Sequence, residues 1–426
     1  MGKKCRFFAM GAIALAVVGC SSKEEEPGID NPFEPIELEP VQAEVSDALQ
    51  PFAFNLLGEA CRQTEGNLII SPLGATLMAG MLANAADEEA SAQFLAVLGL
   101  QESQKPWLNS YCNKLLTALP GVDKASEMHL DNGIWFNNVP SGNFPMAVPT
   151  EGYKTTMGQD YLAEMSFLDF SEPGSLDKIN DWIDKRVEMN NVVNKLSPEN
   201  VALWVSTLHF KGAWTKKFNK EETKKRQFAC ENGNRIAVDM MMRHPVGAGY
   251  YFSEGRYEGK AHDSGVQAVT LPYGNEAYQF TAILPPAGMS LEALSEKLAG
   301  GMWKHITTWD NLMDKGIFGV NMPRMSIVNK HDMKPIYNAM GITGLLEGGA
   351  MPGIGIESDF SCMMSQNASI AVDEEGAELK VVTVSGGDLM ANMGKVVIFD
   401  RPFVFAIWEQ STKAVIAVGA YRGADE

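Results

Sequence analysis

Apolar residues recur at helical spacing around residue 77. Leu73, Leu77 and Met81 fall on one face, as expected for a helix that packs against a core. Ser71 and Pro72 stand directly before this pattern. A serine can accept hydrogen bonds from the free amides of a helix start, and a proline in the first turn loses no hydrogen bond. The pattern therefore predicts a buried helix that begins at Ser71-Pro72.

Three further segments have the spacing of regular elements. Residues 52–60 predict an earlier helix, which Pro51 should limit on its N-terminal side because proline disrupts a helix interior. Residues 130–136 predict a central strand. Residues 179–183 predict a helix whose tryptophan turns inward.

Strand-like alternation returns near the C terminus. Residues 377–384 place smaller or apolar side chains at alternate positions, with Glu378 and Lys380 on the other face, which is typical of a half-buried strand. The glycines and small polar residues of 385–394 are typical of an exposed loop that proteases cut. A second strand-like run follows at 395–399. On pattern alone, an ordinary hairpin with a long tip explains these residues.

The composition indicates a globular protein with a sizeable core. Hydrophobic residues make up 45% of the 426 residues, and this length alone suggests two domains. The net charge of −18 argues against nucleic acid as a partner. The sequence contains no Gly-x-Ser-x-Gly, His-Glu-x-x-His or phosphate-loop motif, and its histidines are solitary. Neither an enzyme site nor a cofactor is therefore predicted.

The six cysteines are scattered, without the Cys-x-x-Cys spacing of metal or redox sites. Cys5 lies near the N terminus, as does Cys20, and no metal site is predicted. A disulfide is permitted outside the cytoplasm. Spacing assigns none among the remaining four, which are Cys61, Cys112, Cys230 and Cys362.

The N terminus has the form of a secretion signal. Basic residues precede the apolar run 7–18, which is too short to span a membrane and ends at Gly19-Cys20. This ending resembles a bacterial lipobox, in which Cys20 becomes the lipidated first residue; the alternative is a plain secretion signal with an incidental cysteine. Residues 1–19 are therefore predicted to be a lipoprotein signal peptide. The acidic, proline-rich residues 20–42 are predicted to be a flexible tether.

Ordered motifs along the rest of the chain resemble the serpin family. They include Asn67–Pro72, Trp204–Trp214, Asp373–Glu378, Arg401–Phe405 and Ala417–Gly419. The resemblance covers residues 43–423 and implies one domain, 43–426, with an α+β serpin fold. This fold has a large central, mostly antiparallel sheet, smaller sheets and surrounding helices. It also has an exposed reactive loop, here at about 374–395.

The resemblance implies a suicide inhibitor of serine proteases and sometimes of cysteine proteases. The protease attacks the exposed loop and forms an acyl-enzyme, and the freed arm then inserts into the main sheet before water releases the protease. The partner is thus a covalently bound protease, and the inhibitor is a monomer. Gly376 would be the pivot of a hinge formed by Glu374, Glu375, Gly376, Ala377 and Glu378. The residues that would face the core after insertion are Ala377, Leu379, Val381 and Thr383.

Two counts locate the bond that is cut. Counting forward from the hinge gives Met390-Ala391, whereas counting back from Pro402 gives Ala391-Asn392. The first is preferred because hinge length fixes how much strand can insert. An apolar, unbranched Met390 predicts target proteases of the elastase, chymotrypsin or subtilisin type.

The sheet region also departs from the family pattern. In the shutter, beside Ser71, this chain has Gly74, Ser206 and Gln366 where the family usually has a serine, an asparagine and a histidine. Three related changes suggest a rebuilt hydrogen-bond network. Trp214 corresponds to the family's tryptophan at the top of the main sheet, where the loop begins to enter.

The hinge departs as well. Inhibitory serpins favour a run of alanines where this chain has the bulkier residues 379–382, so the alternative function is a non-inhibitory serpin acting as a binding or structural lipoprotein. With a lipidated Cys20, both the inhibitory and the non-inhibitory serpin would be outer-membrane lipoproteins. Acyl chains would hold the protein to the membrane of a Gram-negative bacterium. The charged residues 23–26 resemble a surface-export signal and favour the cell surface, while a periplasmic orientation stays open.

Overall fold

The computed structural model describes residues 31–139, 146–187, 192–244, 249–252, 265–308, 319–343, 349–358, 362–377 and 396–423. The α-helices in these ranges are α1 Pro40–Gln63, α2 Pro72–Ala85, α3 Glu88–Val97, α4 Lys105–Ala118, α5 Glu151–Asp160, α6 Pro173–Val187, α7 Leu291–Lys297, α8 Trp303–Ile306 and α9 Met333–Ala339. Pro32–Glu426 forms one compact unit.

The predicted start of helix α2 is confirmed. Ser71 is its N-cap and accepts a hydrogen bond from the Gly74 amide at 2.9 Å, and Pro72 occupies the first turn. Both signals are local in sequence, which is why the pattern located this helix correctly.

The expectation that Pro51 limits helix α1 was wrong, because the helix continues through it from Pro40. Pro51 is exposed, while Val45 and Phe52 on either side are buried. Burial of the flanking turns outweighs the hydrogen bond that proline removes. Ordered structure thus begins before residue 43, where the tether was expected to end.

Strands form three sheets in the described residues. The first half of the strands is β1 Leu68–Ile70, β2 Ser126–Asn137, β3 Glu164–Leu168, β4 Ala202–Ala213, β5 Lys224–Ala229, β6 Arg235–Arg243, β7 Gly249–Phe252 and β8 Gln267–Pro272. The second half is β9 Tyr278–Leu284, β10 Gly319–Pro323, β11 Met325–Asp332, β12 Cys362–Val372, β13 Gly376–Ala377, β14 Val396–Ile398, β15 Phe403–Glu409 and β16 Val415–Tyr421.

The main sheet has the order β11-β12-β13-β4-β2-β3 and is mostly antiparallel. A core sheet has the order β1-β16-β15-β9-β8-β7, and a small sheet the order β14-β10-β6-β5. Helix α2 contacts both β4 and β16, so it lies between the main sheet and the core sheet. The α+β fold and the central strand at residues 130–136, now part of β2, are thereby confirmed.

The hairpin interpretation of the C-terminal alternation was wrong. β13 belongs to the main sheet, whereas β14 pairs in parallel with β10 in the small sheet. The chain is therefore in the main sheet at Ala377 and in the small sheet at Val396.

Helix α6 covers the outer face of the main sheet with a smaller apolar cluster. Ile179 and Ile183 are fully buried there. Trp182 is only half-buried: its indole packs edge-on against Trp135 and donates to Glu164 at 2.9 Å. The inward tryptophan of this helix thus lies at the rim of the cluster rather than inside it.

Candidate functional site

The predicted hinge forms a tight turn at the end of the main sheet. Asp373 begins it: its amide donates to the Gly376 carbonyl at 2.9 Å, and its carboxylate accepts from the amides of Glu375 and Gly376. Trp214 holds the turn from β4. Its indole donates to the Asp373 carbonyl at 2.8 Å, and its amide donates to the Glu375 carbonyl at 2.8 Å. Trp214 therefore ties the end of β4 to the predicted hinge.

Glu374 carries a buried charge in this turn. Its side chain is 1% exposed, and the Arg324 guanidinium holds it with Nη2 2.7 Å and Nε 2.9 Å from Oε1. Thr223 donates its hydroxyl to the same oxygen. A buried carboxylate requires such compensation, so Arg324 and Thr223 fix the hinge to the neighbouring strands.

Glu375 is held differently, by two lysines on the segment after Trp214. Lys217 Nζ lies 2.7 Å from Oε2, and Lys220 Nζ lies 2.9 Å from Oε1. The ammonium group of Lys217 has the larger effect and that of Lys220 the smaller, and together they hold the pKa of the Glu375 carboxyl below its usual range. The carboxylate is about half exposed, so this contact contributes less than the buried one at Glu374.

Gly376 is required for a steric reason. A Cβ at this position would lie 2.0 Å from the Gly212 carbonyl oxygen and 2.7 Å from the Ala213 Cα. The backbone of β4 therefore excludes every other residue, whereas the sequence prediction assigned Gly376 the conformational freedom of a pivot.

Ala377 already sits between the two strands that an inserting arm would separate. It pairs with Val372 of β12 on one side and with Gly212 of β4 on the other, and it is 2% exposed. A recess of about 100 Å³ opens beside it, lined partly by Glu127 and Lys211.

Strands β12 and β4 pair directly with each other only at positions further from the hinge. The two strands pair in parallel from Cys362↔Ala202 to Asn367↔Thr207. Between this pairing and Ala377, residues 208–211 of β4 and 368–371 of β12 have no register partner across the gap among the described residues. The main sheet is thus open at its hinge end and closed below it.

The predicted shutter residues lie where β4 and β12 meet the start of α2. The Gln366 amide makes two hydrogen bonds to the backbone of Ser71: Oε1 accepts from the Ser71 amide at 2.6 Å and Nε2 donates to its carbonyl at 2.8 Å. A Cβ on Gly74 would lie 3.1 Å from Gln366 Nε2. The missing side chain at Gly74 thereby makes room for the longer amide.

Ser206 belongs to the same row but has another partner. It is the register neighbour of Gln366, and its hydroxyl donates to Asn132 Oδ1 at 2.9 Å. His331 extends the row on β11, opposite Gln366, with Nε2 2.8 Å from the Ile69 carbonyl. The row therefore crosses four strands, and all four of its side chains are buried.

Sequence reasoning missed the partners of the hinge. Arg324 directly follows Pro323, and Lys217 and Lys220 follow Trp214, but nothing in their spacing points to Glu374 or Glu375. Asn132 and His331 were likewise not identified. All of these contacts join residues distant in sequence, so only the sheet register reveals them.

Several predicted positions lie outside the described residues. They are the lipidation site Cys20, the outer hinge residue Glu378, the inserting residues Leu379, Val381 and Thr383, and the reactive bond Met390-Ala391. Within the described ranges, no cluster of three or more His, Cys, Asp or Glu side chains is arranged to hold a metal ion. In the same ranges, every helix is too short or too polar to cross a membrane.

Comparison with known proteins agrees with this architecture. The family profile "Serpin (serine protease inhibitor)" matches residues 47–423. Iripin-3 of Ixodes ricinus is 28% identical over 63% of this chain and 67% of its own length, and Serpin I2 of Homo sapiens is 23% identical over 88% and 90%. The crystal structure of the thermophilic serpin Tengpin in its native state aligns with a TM-score of 0.74 at 22% identity, covering 92% of this chain and 97% of that one. This chain belongs to the serpin family.

Proposed function

We propose that this serpin inhibits serine endopeptidases, and some cysteine endopeptidases, by covalent trapping and insertion of its cleaved loop between β4 and β12. The register of the open sheet is the observation that carries the proposal. Ala377 pairs with Gly212 and Val372, while Gln366 pairs with Ser206.

A strand that continues antiparallel from Ala377 would stay in step with both neighbours. Residue 378 would meet Lys211 and Ala371, and each further residue would move one position down both strands. Thr383 would then arrive between Ser206 and Gln366, which already face each other. The pairing now made by β4 and β12 thus has the offset that an inserted strand needs, and no strand has to slide.

The same register sets the length of the new strand. It extends to residue 387, opposite Ala202 and Cys362 at the far end of the present pairing. Insertion of about ten residues at 0.5–1.5 kcal/mol net per hydrogen bond releases on the order of 10 kcal/mol, enough in scale to distort a bound protease.

The inward positions suit the side chains of this loop despite their bulk. Val381 would lie beside Ala368, a small buried residue of β12. Thr383 would bring a hydroxyl to the shutter row, next to the Ser206 hydroxyl and the Gln366 amide. On the outer face, Glu378 would lie beside Lys211, which favours pairing of opposite charges.

The chemical step begins at the loop. The protease hydroxyl or thiol attacks the carbonyl of Met390, the amide bond to Ala391 breaks, and the Ala391 amine leaves with a proton from the protease histidine. The arm ending at Met390 stays attached as an ester or thioester. Insertion must be faster than the attack of water on this bond. An apolar Met390 suits proteases with elastase-, chymotrypsin- or subtilisin-like primary pockets.

The decisive experiment is electrophoresis in SDS after mixing the protein with a chymotrypsin-like protease. The proposal predicts a covalent adduct that is resistant to SDS. Cleavage of the loop without any adduct would instead support the alternative, a non-inhibitory serpin that acts as a binding or structural lipoprotein at the surface. The bulky residues 379–382 are the feature that favours this alternative.

We further propose that the protein is a lipoprotein of the outer membrane, facing the exterior of a Gram-negative bacterium. The Gly19-Cys20 pair after the apolar run 7–18 supports acylation of Cys20. The charged residues 23–26 favour display at the cell surface, where the reactive loop would meet proteases from outside.

A further inference from the structure

Positive charge is concentrated beside the hinge of an otherwise acidic chain. Residues 216–226 contain six cationic and two anionic side chains, a local charge of +4, whereas the whole chain carries −18. We name this cluster the cationic edge. Its members are Lys216, Lys217, Lys220, Lys224, Lys225 and Arg226.

The fold places the cationic edge on an exposed border. The segment runs from the end of β4 through the 3-10 turn Lys220–Glu222 into β5, the outermost strand of the small sheet. Lys224, Lys225 and Arg226 are exposed in succession on that strand.

Part of this positive charge is balanced by ion pairs with carboxylates. Lys217 and Lys220 share the single carboxylate of Glu375, and Lys225 pairs with Asp239 at 3.1 Å. Lys216 and Arg226 form no ion pair with any residue in the part of the chain that the structure describes. The edge therefore presents unbalanced positive charge to the surroundings.

The position of this edge relates it to the reactive loop. Its lysines bind Glu375 at the start of the loop, and the opposite border of the same small sheet is β14, where the loop ends at Val396. A protease that holds residues between these two points lies over the small sheet, so its rim comes next to the cationic edge.

We propose that the cationic edge is a docking surface for the acidic rim of the attacking protease. This inference rests on the proposed function and deepens it. Complementary charge accelerates encounter and selects among proteases that share one primary specificity. Lysines on an edge strand can also serve to prevent pairing with other chains. That role would not explain Lys216 and Lys217, because both lie before β5 begins at Lys224.

The test compares two variants with equal change in charge. Lys224→Glu/Arg226→Glu reverses two charges of the edge, lowers its local charge from +4 to 0 and still blocks strand pairing, whereas Lys178→Glu/Lys297→Glu reverses two exposed lysines on α6 and α7. The measured quantity is the second-order rate constant of loop attack at several salt concentrations. Two proteases of one primary specificity are used, one with an acidic and one with a basic rim.

The proposal predicts that the edge variant reacts about tenfold more slowly with the acidic-rim protease at low salt. Its salt dependence should flatten, its yield of adduct per cleavage should stay unchanged, and it should react faster with the basic-rim protease. The control variant should show a much smaller loss. Equal rates for the edge variant and wild type would overturn the proposal.

Failure of docking and failure of trapping give different results. The rate of loop cleavage is measurable even if no adduct forms, so a protein that never traps the protease still reports on docking. Retention on dextran sulfate tests whether the edge binds polyanions. If the edge variant loses this retention but keeps its rate with both proteases, the edge is a polyanion site, and the docking proposal is wrong.

Discussion

Arg324 and Glu374 form a two-pronged ion pair at the hinge, with Arg324 Nη2 2.7 Å and Nε 2.9 Å from Glu374 Oε1. The carboxylate is 1% exposed, so most of its charge compensation must come from this guanidinium. The pair ties the residue two positions before Gly376 to the end of β10.

Arg324→Gln should lower the free energy of unfolding by about 3 kcal/mol, because it leaves a buried carboxylate without its cation. The double variant Arg324→Gln/Glu374→Gln should lose less than this single variant, since it removes both charges. Urea unfolding followed by tryptophan fluorescence measures both. A single variant within about 0.5 kcal/mol of wild type would show that the pair does not hold the hinge.

Gly74→Ala should destabilise the native state by about 1–2 kcal/mol, because the new methyl group would lie 3.1 Å from Gln366 Nε2. The matched control is Gly158→Ala in α5, where an added Cβ meets no atom within 4 Å and helix propensity improves. In a Gln366→Ala background the cost of Gly74→Ala should largely disappear. An equal cost in both backgrounds would refute the compensation between these residues.

The prediction of the shutter shows what a sequence can reveal and what it cannot. Gly74, Ser206 and Gln366 were recognisable as a group through family resemblance, and the start of α2 through the local signal of Ser71-Pro72. The atom-level partners were not, because the Gln366 amide bonds to a backbone almost three hundred residues away.

The same limit applies at the hinge. Its position could be predicted from the sequence around Glu374, but not the reason for its glycine, since the obstacle is the Gly212 carbonyl of another strand. Alternation also predicted the strand that is now β14, whereas only Ala377 of the predicted strand 377–384 lies in the described residues. It could not tell that β13 and β14 enter different sheets, because a strand pattern carries no information about its partner.

Acidification should destabilise the native state through His331. Burial lowers the pKa of this imidazole despite its hydrogen bond to Ile69. As pH falls through about 6.5, the unfolded chain binds a proton that native His331 does not, so the free energy of unfolding decreases. His331→Gln should reduce the pH dependence between pH 7.5 and about 5.5. Parallel pH profiles for the variant and wild type would contradict this.

Cys20→Ala should release the protein from the membrane fraction, because acyl chains would supply the binding energy. Fractionation of cells and mass spectrometry of the N-terminal peptide test this. Retention of the variant in the membrane, or a wild-type peptide without acyl chains, would contradict the lipobox interpretation.

Insertion of the loop in the register set by Ala377 is the central claim, and an exchange of two neighbouring residues tests it most directly. Lys380→Val/Val381→Lys keeps the composition but moves the lysine from the outer face to the inner face, beside Leu208 and Ala368. Lys380→Val alone is the control. Each protein is mixed with a chymotrypsin-like protease, and the SDS-resistant adduct is quantified along with the mass of the released C-terminal fragment.

Insertion in this register predicts that all three proteins release a fragment beginning at Ala391. Wild type and Lys380→Val should form the adduct, whereas the exchanged variant should be cleaved at the same bond with at least about a tenfold loss of adduct, because insertion would bury an unpaired charge. An exchanged variant that traps the protease as well as wild type does would contradict insertion in this register.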